Sequence, residues 1–342
     1  MTAPAAGTPR TSDRQSPQGA ADTRGASTPQ AVSGPHGSSA AQSVPTDRLA
    51  LGPAGAERLT GVTDIVSEDG HGSGRATLGQ WLADADGFVV EGATGVLVDD
   101  VLGSVAVARR PTGCWSLTTD LTFERMGPRL RPGTEVTGQA ELLHADNATS
   151  LAEARVHDAE GRLVAIATQR GLYRPVPEEP EFVGGSTEPM AAPTAEDIDE
   201  LLGLTCGASS DVGPAGGAGP NAVDDAGPAT RGVSADAGEG LRLPVGPRTR
   251  NHVGILHGGI SLMASMIAAK RELERLGHPG LVPVSAHLTF PRPVPEDEGT
   301  MQYTTVLTHA GRSFAVLRVY GMLRGTVRTM AQISAQRPTD EG

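Results

Sequence analysis

Lysine is nearly missing from this chain. Lys270 is the only one, so almost all of the positive charge is arginine. Asp and Glu outnumber Lys and Arg 40 to 28, a formal net charge of -12. A broad nucleic-acid-binding face needs a basic patch, and this balance argues against such a face. Cysteine is scarce too. Cys114 and Cys206 stand far apart in different kinds of segment, which excludes a disulfide framework and fits a reducing compartment. No cluster has metal-ligand spacing, and neither a metal nor a cofactor is expected. There is no run of about 18 apolar residues, so no membrane-spanning helix is expected. The N-terminal stretch lacks the apolar centre of a secretory signal. These absences together point to a cytoplasmic protein. Aromatic residues are only 3% of the chain, so no aryl-binding wall stands out. Neither a Walker-type phosphate loop nor a dinucleotide fingerprint occurs. The Ala/Gly/Arg/Pro-heavy composition is that of a high-GC bacterial gene.

What is present divides the 342 residues into segments of different character. Residues 1–50 are Ser, Thr, Pro, Gly, Ala and Gln with almost no large apolar side chain, a composition that cannot offset the entropy of ordering. A disordered tail is expected there. A first folded unit is expected over 58–177. In it, Ala76 to Leu82 reads as a strand and Thr94 to Ala108 as a helix, with Val98, Val101, Leu102 and Val105 on one face at i, i+3, i+4 and i+7. Strand-like runs follow at Cys114 to Phe123, Glu135 to His144, Leu151 to His157 and Leu163 to Leu172, separated by turn signals such as Arg131-Pro132-Gly133. Residues 178–240 read as a largely flexible linker, with a short helix at Glu196 to Leu202.

A second unit, 241–338, repeats the first. Leu241 to Val245 is a short strand. A helix begins near Gly258 and ends at Gly277, a residue suited to the left-handed end of a helix. Four more strand-like runs follow, Val282 to Phe290, Met301 to His309, Phe314 to Met322 and Thr326 to Ala335. Asp120-Leu121-Thr122-Phe123 matches His287-Leu288-Thr289-Phe290 at an offset of 167 residues. The same offset lays Asp99 on Met266 and Val90-Glu91-Gly92 on His257-Gly258-Gly259. An internal duplication explains both the letters and the shared order of elements.

The chemistry concentrates at Asn251-x5-His257-Gly258-Gly259. Two glycines let the backbone turn sharply and let a ligand approach its N–H groups. The helix that follows has first-turn N–H groups without internal partners at the positive end of its dipole, which suits an anion or an oxygen gaining negative charge.

This corner resembles that of the PaaI-like acyl-CoA thioesterases of the hotdog superfamily. Leu97-Val98-Asp99-Asp100-Val101-Leu102-Gly103 resembles the family's aspartate-bearing helix, and Ser116 to Phe123 its next strand, which starts with an active-site Ser or Thr. Gly161 to Thr168 resembles its last hairpin. The resemblance implies an α+β double hotdog: two units, each a long central helix wrapped by an antiparallel β-sheet. It implies hydrolysis of acyl-CoA at a site shared by paired units, one giving Asn and His-Gly-Gly, the other Asp and Ser/Thr. Here the first unit has Asp99 and Ser116 but no His-Gly-Gly. The second has Asn251, His257, Gly258 and Gly259 but Met266 for the aspartate and Pro283 opposite Ser116. One composite site is therefore complete and its reciprocal is not.

The expected site residues are thus Asp99, Asp100, Asn251, His257, Gly258, Gly259 and Ser116. Asp99 or Asp100 would be the base or nucleophile. Helical periodicity does not choose between them; the Leu-Val-Asp context and the match to Met266 favour Asp99. The Gly258 and Gly259 N–H groups would hold the thioester oxygen, each such donor contributing about 3–4 kcal/mol. Plainer readings stand beside these. Asp99 would be a solvated helix residue, His257 a structural corner, Ser116 a strand hydroxyl bonded to backbone, Asn251 a turn residue. His252 has no role. A non-catalytic acyl-CoA-binding or acyl-binding hotdog is the rival function. A hotdog hydratase would need an Asp-x4-His pair at the helix entry, and Asp84 to Phe88 lacks the His. The expected partners are acyl-CoA substrate and, compatibly with the fold, further copies of the fused chain in a homo-oligomer.

Overall fold

The computed structural model describes residues 48–176, 193–207 and 240–338. Most of the tail expected over 1–50 and of the linker expected over 178–240 lies outside these residues. The first half runs β1 (Arg48–Leu51), α1 (Gly55–Thr60), β2 (Val62–Glu68), β3 (His71–Leu78), α2 (Gly95–Ala108), β4 (Cys114–Arg125), β5 (Thr134–Ala145), β6 (Thr149–Asp158) and β7 (Leu163–Pro175). Between the halves lie α3 (Ile198–Leu202) and β8 (Thr205–Gly207). The second half runs β9 (Gly240–Pro244), α4 (Gly258–Arg275), β10 (Val282–Thr289), β11 (Thr300–Ala310), β12 (Phe314–Leu323) and β13 (Thr326–Gln336).

All thirteen strands form one sheet in the order β1-β2-β3-β5-β6-β7-β4-β10-β13-β12-β11-β9-β8, every neighbouring pair antiparallel. The halves meet where β4 pairs with β10, and there Leu121 faces Leu288. These two leucines are each other's equivalents under the 167-residue offset. A strand pairs antiparallel with its own copy about such a residue only if a two-fold axis passes there. The duplication read from the letters is therefore a pseudo-dyad in space.

The helices obey the same axis. α2 packs on the sheet of its own half and α4 on that of the other, and the two touch. A Cβ on Gly92 would lie 2.7 Å from Met263 Cα, and one on Gly259 would lie 2.5 Å from Val96 Cα and 2.4 Å from the Gly95 carbonyl oxygen. Since the contacts run 92 to 263 and 96 to 259, the helices cross antiparallel. All of α2 except Gly103 is buried, which explains its near-continuous Val, Leu and Ala: one side meets the sheet and another meets α4. The end of α4 is a Schellman turn, with Gly277 at φ 81° and bonds from Gly277 N–H to Glu274 C=O and from His278 N–H to Leu273 C=O.

Three expectations need correction. Residues 76–82 are not one strand: β3 ends at Leu78 and Gln80–Leu82 form a 3-10 turn. Most of β3 lies earlier, in His71-Gly72-Ser73-Gly74-Arg75, where glycines replace the apolar residues that would reveal a strand. They are there because α2 lies against them: a Cβ on Gly72 would meet the Val101 carbonyl oxygen at 2.7 Å, and one on Gly74 the Leu97 side chain at 3.0 Å. Arg48–Leu51, which begins inside the expected tail, pairs with β2. Inside the expected linker, the short helix expected at Glu196 to Leu202 is present as α3, but it is packed, burying Ile198, Leu201 and Leu202, capped by Asp197 and tied to α4 by an Arg271–Asp199 ion pair, and β8 beyond it pairs with β9. Among the described residues, no helix is long and apolar enough to cross a membrane.

Candidate active site

The Asn251-to-Gly259 corner is held before it reaches the helix. Asn251 Oδ1 accepts from the N–H groups of Val253 (3.0 Å) and Ile255 (3.3 Å), and Gly254 turns at φ 78°. Leu256 N–H and His257 N–H then bond to the carbonyls of Val294 and Thr249. His257, extended at φ -64° and ψ 133°, caps α4. Asn251 therefore performs the turn role as well as lining the adjacent cavity.

α2 brings both aspartates to this corner, and both are buried. Asp99 Oδ2 accepts from Gly259 N–H at 3.1 Å and lies 2.9 Å from His257 Nδ1. Asp99 Oδ1 accepts from Gln169 Nε2 at 2.7 Å, and the same amide donates to Thr118 Oγ1 at 2.8 Å. Asp100 Oδ1 lies 3.1 Å from His257 Nε2. Beneath the imidazole, Glu57 from α1 lies 3.6 Å from His257 Nε2 and 3.2 Å from His252 Nδ1, while His252 Nε2 bonds to the Gly52 carbonyl at 2.7 Å. The solvated reading of Asp99 does not survive this geometry.

Three groups in this buried space have displaced proton affinities. Burial works against a charge on His257, but Asp100, Asp99 and Glu57 around it outweigh burial and hold its pKa well above the usual imidazole value. Burial, reinforced by the Glu57 charge, pushes Asp100 up to about 8 against the pull of His257. Its Oδ2 is buried without a hydrogen-bond partner, which is why ionisation is costly there. Burial also opposes the Glu57 carboxylate, yet His257 and His252 hold it below its ordinary value. His257 as a cation donates from Nδ1 to Asp99. The Gly259 N–H, which is 3.1 Å from His257 Nδ1 as well, then goes to Asp99 alone. Glu57, Asp100 and His252 each place one ligand atom within 4.8 Å of the others. The imidazoles of His252 and His257 already face these carboxylates.

A cavity of about 240 Å³ opens beside Asp99 between the two halves, lined by Ser116, Thr118, Asn251, Gly258, Arg174 and Arg292 among others. A smaller one of about 90 Å³ shares Asp99, Ser116, Thr118 and Asn251 with it. Ser116 thus lines the site, while Thr118, two residues along β4, makes the hydrogen bond. Sequence reasoning missed Thr118, Gln169, Glu57 and His252. The likeness of Ser116 to Phe123 to an active-site strand contained the Thr118 signal. Nothing in sequence pairs Gln169 with Asp99, 70 residues away.

The pseudo-dyad also locates the reciprocal position. Met266 replaces Asp99, Glu91 replaces Gly258, and Ser285 replaces Thr118. Gln169 faces Leu121 and Ala331 faces Leu288, so Ala331 stands where Gln169 would be. Glu91 is buried and bonds to Arg129 at 2.6 Å.

Comparison with known proteins agrees with this duality. Residues 24–173 match the family model for the acyl-CoA thioesterase C-terminal domain, and 247–336 match that for the acyl-CoA thioesterase N-terminal domain. The two halves therefore follow each other in the reverse of the order those descriptions give. No curated protein matches the chain. Among solved structures, a protein from Novosphingobium aromaticivorans described as a thioesterase is 16% identical, with a TM-score of 0.50 over 78% of this chain and 96% of that one. The 12:0-ACP thioesterase of Umbellularia californica is 10% identical, with a TM-score of 0.49 over 78% and 94%. The first of these likenesses is one of fold. With two family matches spanning more than half its length, one on each unit of a double hotdog, the chain belongs to the acyl-CoA thioesterases and is a thioester hydrolase.

Proposed function

We propose that hydrolysis of acyl-CoA takes place at one composite site, with Asp99 from the first unit acting at the His257-Gly258-Gly259 corner of the second. The contact that carries this reading is the Gly259 N–H bond to Asp99, which crosses between the halves. That bond also divides the labour of the corner. Gly259 N–H is engaged by the carboxylate, whereas Gly258 lines the open cavity. Gly258 N–H is then the donor for the thioester oxygen as it gains charge. Asp99 serves as base on a water or attacks the carbonyl carbon directly. Gln169, bridging Asp99 and Thr118, fixes the carboxylate and the Thr118 hydroxyl, which with Ser116 is placed to orient water. His257 stabilises Asp99 from below. Arg174 and Arg292 at the cavity wall suit the phosphates of CoA. The free cysteines, Cys114 and Cys206, fit a reducing compartment, and cytoplasmic work is part of this reading.

The direct test is turnover on a panel of acyl-CoA thioesters of graded chain length. Hydrolysis by the wild-type chain, lost in Asp99→Asn, is the expected result. Equal hydrolysis by both proteins would overturn the assignment.

A further inference from the structure

The axis that builds the Asp99 cavity builds a second cleft on the other side of it. Under the 167-residue offset, Arg292 falls on Arg125, Ile255 on Phe88 and Leu117 on Val284. All three of those positions line a cavity of about 880 Å³. Its chemistry is different. The positions that would hydrolyse are Met266, Ala331 and Glu91, so neither an aspartate nor a glycine corner is present. What has gathered instead is arginine: Arg125, Arg129, Arg131 and Arg337 line the cleft with Phe88 and Gln336.

Four guanidiniums around one cleft are unusual in a chain of net charge -12. Two are set in place. Arg129 is bonded to Glu91 and Asp84, each at 2.6 Å, and the Arg129 and Arg131 guanidiniums lie 4.4 and 4.7 Å from the centre of the Phe88 ring. Arg129 is thereby partly neutralised. Arg125 is not. It donates to the Gly127 carbonyl at 2.8 Å, and its Nε is buried without an acceptor. Burial makes the Arg125 cation costly; the Glu91 charge gives back part of that cost, and the Arg129 charge adds a smaller share to it. Arg337 donates only to a backbone carbonyl among the described residues. The one carboxylate in the lining, Glu124, accepts from Ser285 at 2.7 Å. Arginine forks bind phosphate oxygens in pairs, and a cleft that concentrates them attracts polyanions.

We propose that this second cleft is a non-hydrolytic binding site for the diphosphate end of a nucleotide. The duplication says that its ancestral occupant was the occupant of the first cleft, so free CoA and simple nucleoside diphosphates are the two sources of that chemistry. CoA as an occupant rests on the proposed function of the first cleft.

The test is equilibrium binding by calorimetry on the full chain, with pyrophosphate, ADP and CoA as separate probes. Wild type is compared with the triple variant Arg125→Gln/Arg131→Gln/Arg337→Gln. Pyrophosphate affinity should fall by about tenfold or more, as loss of several charge-assisted bonds requires, and CoA stoichiometry should fall from two per chain to one. Loss of CoA but not ADP binding identifies CoA as the source; equal loss identifies nucleotides in general. Acyl-CoA turnover at saturating substrate should be unchanged. Because Arg125 is half-buried, the double variant Arg131→Gln/Arg337→Gln, altered only at exposed positions, is measured alongside, and it should show a smaller loss of the same kind. Unchanged affinity and stoichiometry for all three probes in both variants would overturn the proposal. Repeating the titration in Asp99→Asn separates this outcome from any failure of the hydrolytic reading, since binding here does not depend on turnover.

Discussion

Asp99 Oδ2 and Gly259 N–H lie 3.1 Å apart across the boundary between the two halves. The carboxylate is thus held by the chain that is 160 residues further on, and the first prediction concerns which aspartate works. Asp99→Asn keeps the shape and removes the base, so kcat should fall by about 10²–10⁴-fold. Asp100→Asn keeps the contact with His257 Nε2 and should retain most of its turnover. Steady-state kinetics on one good acyl-CoA substrate decides it. The reverse pattern would move the functional carboxylate one residue along α2.

The two glycines of the corner should fail differently. A Cβ on Gly258 would lie 2.7 Å from Asp99 Oδ2 and displace that side chain. Gly258→Ala should fold and lose about 10²-fold in kcat, the usual cost of a misplaced reacting group. A Cβ on Gly259 would instead strike the α2 backbone. Gly259→Ala should lower stability by about 1–3 kcal/mol or more through overpacking. Thermal melts set against kinetics separate the two effects.

Asp100 predicts a pH dependence of stability. Its pKa is raised from 3.8 to about 8, so between those values the folded chain holds a proton that the unfolded chain releases. Stability from this group is full below pH 3.8 and declines as pH rises through 8. Asn carries no such proton. Asp100→Asn should therefore gain on wild type as pH rises from 5 to 8, read as urea midpoints at several pH values. A constant difference between the two proteins would show that Asp100 is not held protonated.

At the reciprocal position, Met266→Leu should leave turnover intact, since no base is present to disturb. Glu91→Ala should also spare turnover but cost about 1–3 kcal/mol, because Arg129 loses one of its two close carboxylates in a buried setting. If Met266→Leu abolished hydrolysis, activity would not be confined to one site.

The sequence by itself determined two long helices, the main strands and the residues whose likeness to the PaaI-like thioesterases implied a double hotdog with one composite site. Each of these is a local or periodic property: the runs around Leu121 and Leu288, the apolar face of Val98 to Val105, the His257-Gly258-Gly259 corner. Tertiary structure decided what depends on closeness. The first part of β3 was hidden because its buried positions, Gly72 and Gly74, are glycines, small to let α2 approach. Periodicity left Asp99 and Asp100 equivalent because α2 is buried nearly all round and has no solvent face to exclude either. Only the crossing of α2 and α4 brings Asp99 to Gly259 and both aspartates to His257, and only the packing of α2 on β7 brings Asp99 to Gln169. Glu57 joins the site through α1, a six-residue helix too short to announce itself, and His252 meets it from the corner that precedes α4. The proton affinities of Asp100, Glu57 and His257 follow from burial and from the charges that burial brings together, and burial is a property of the assembled fold rather than of any stretch of chain.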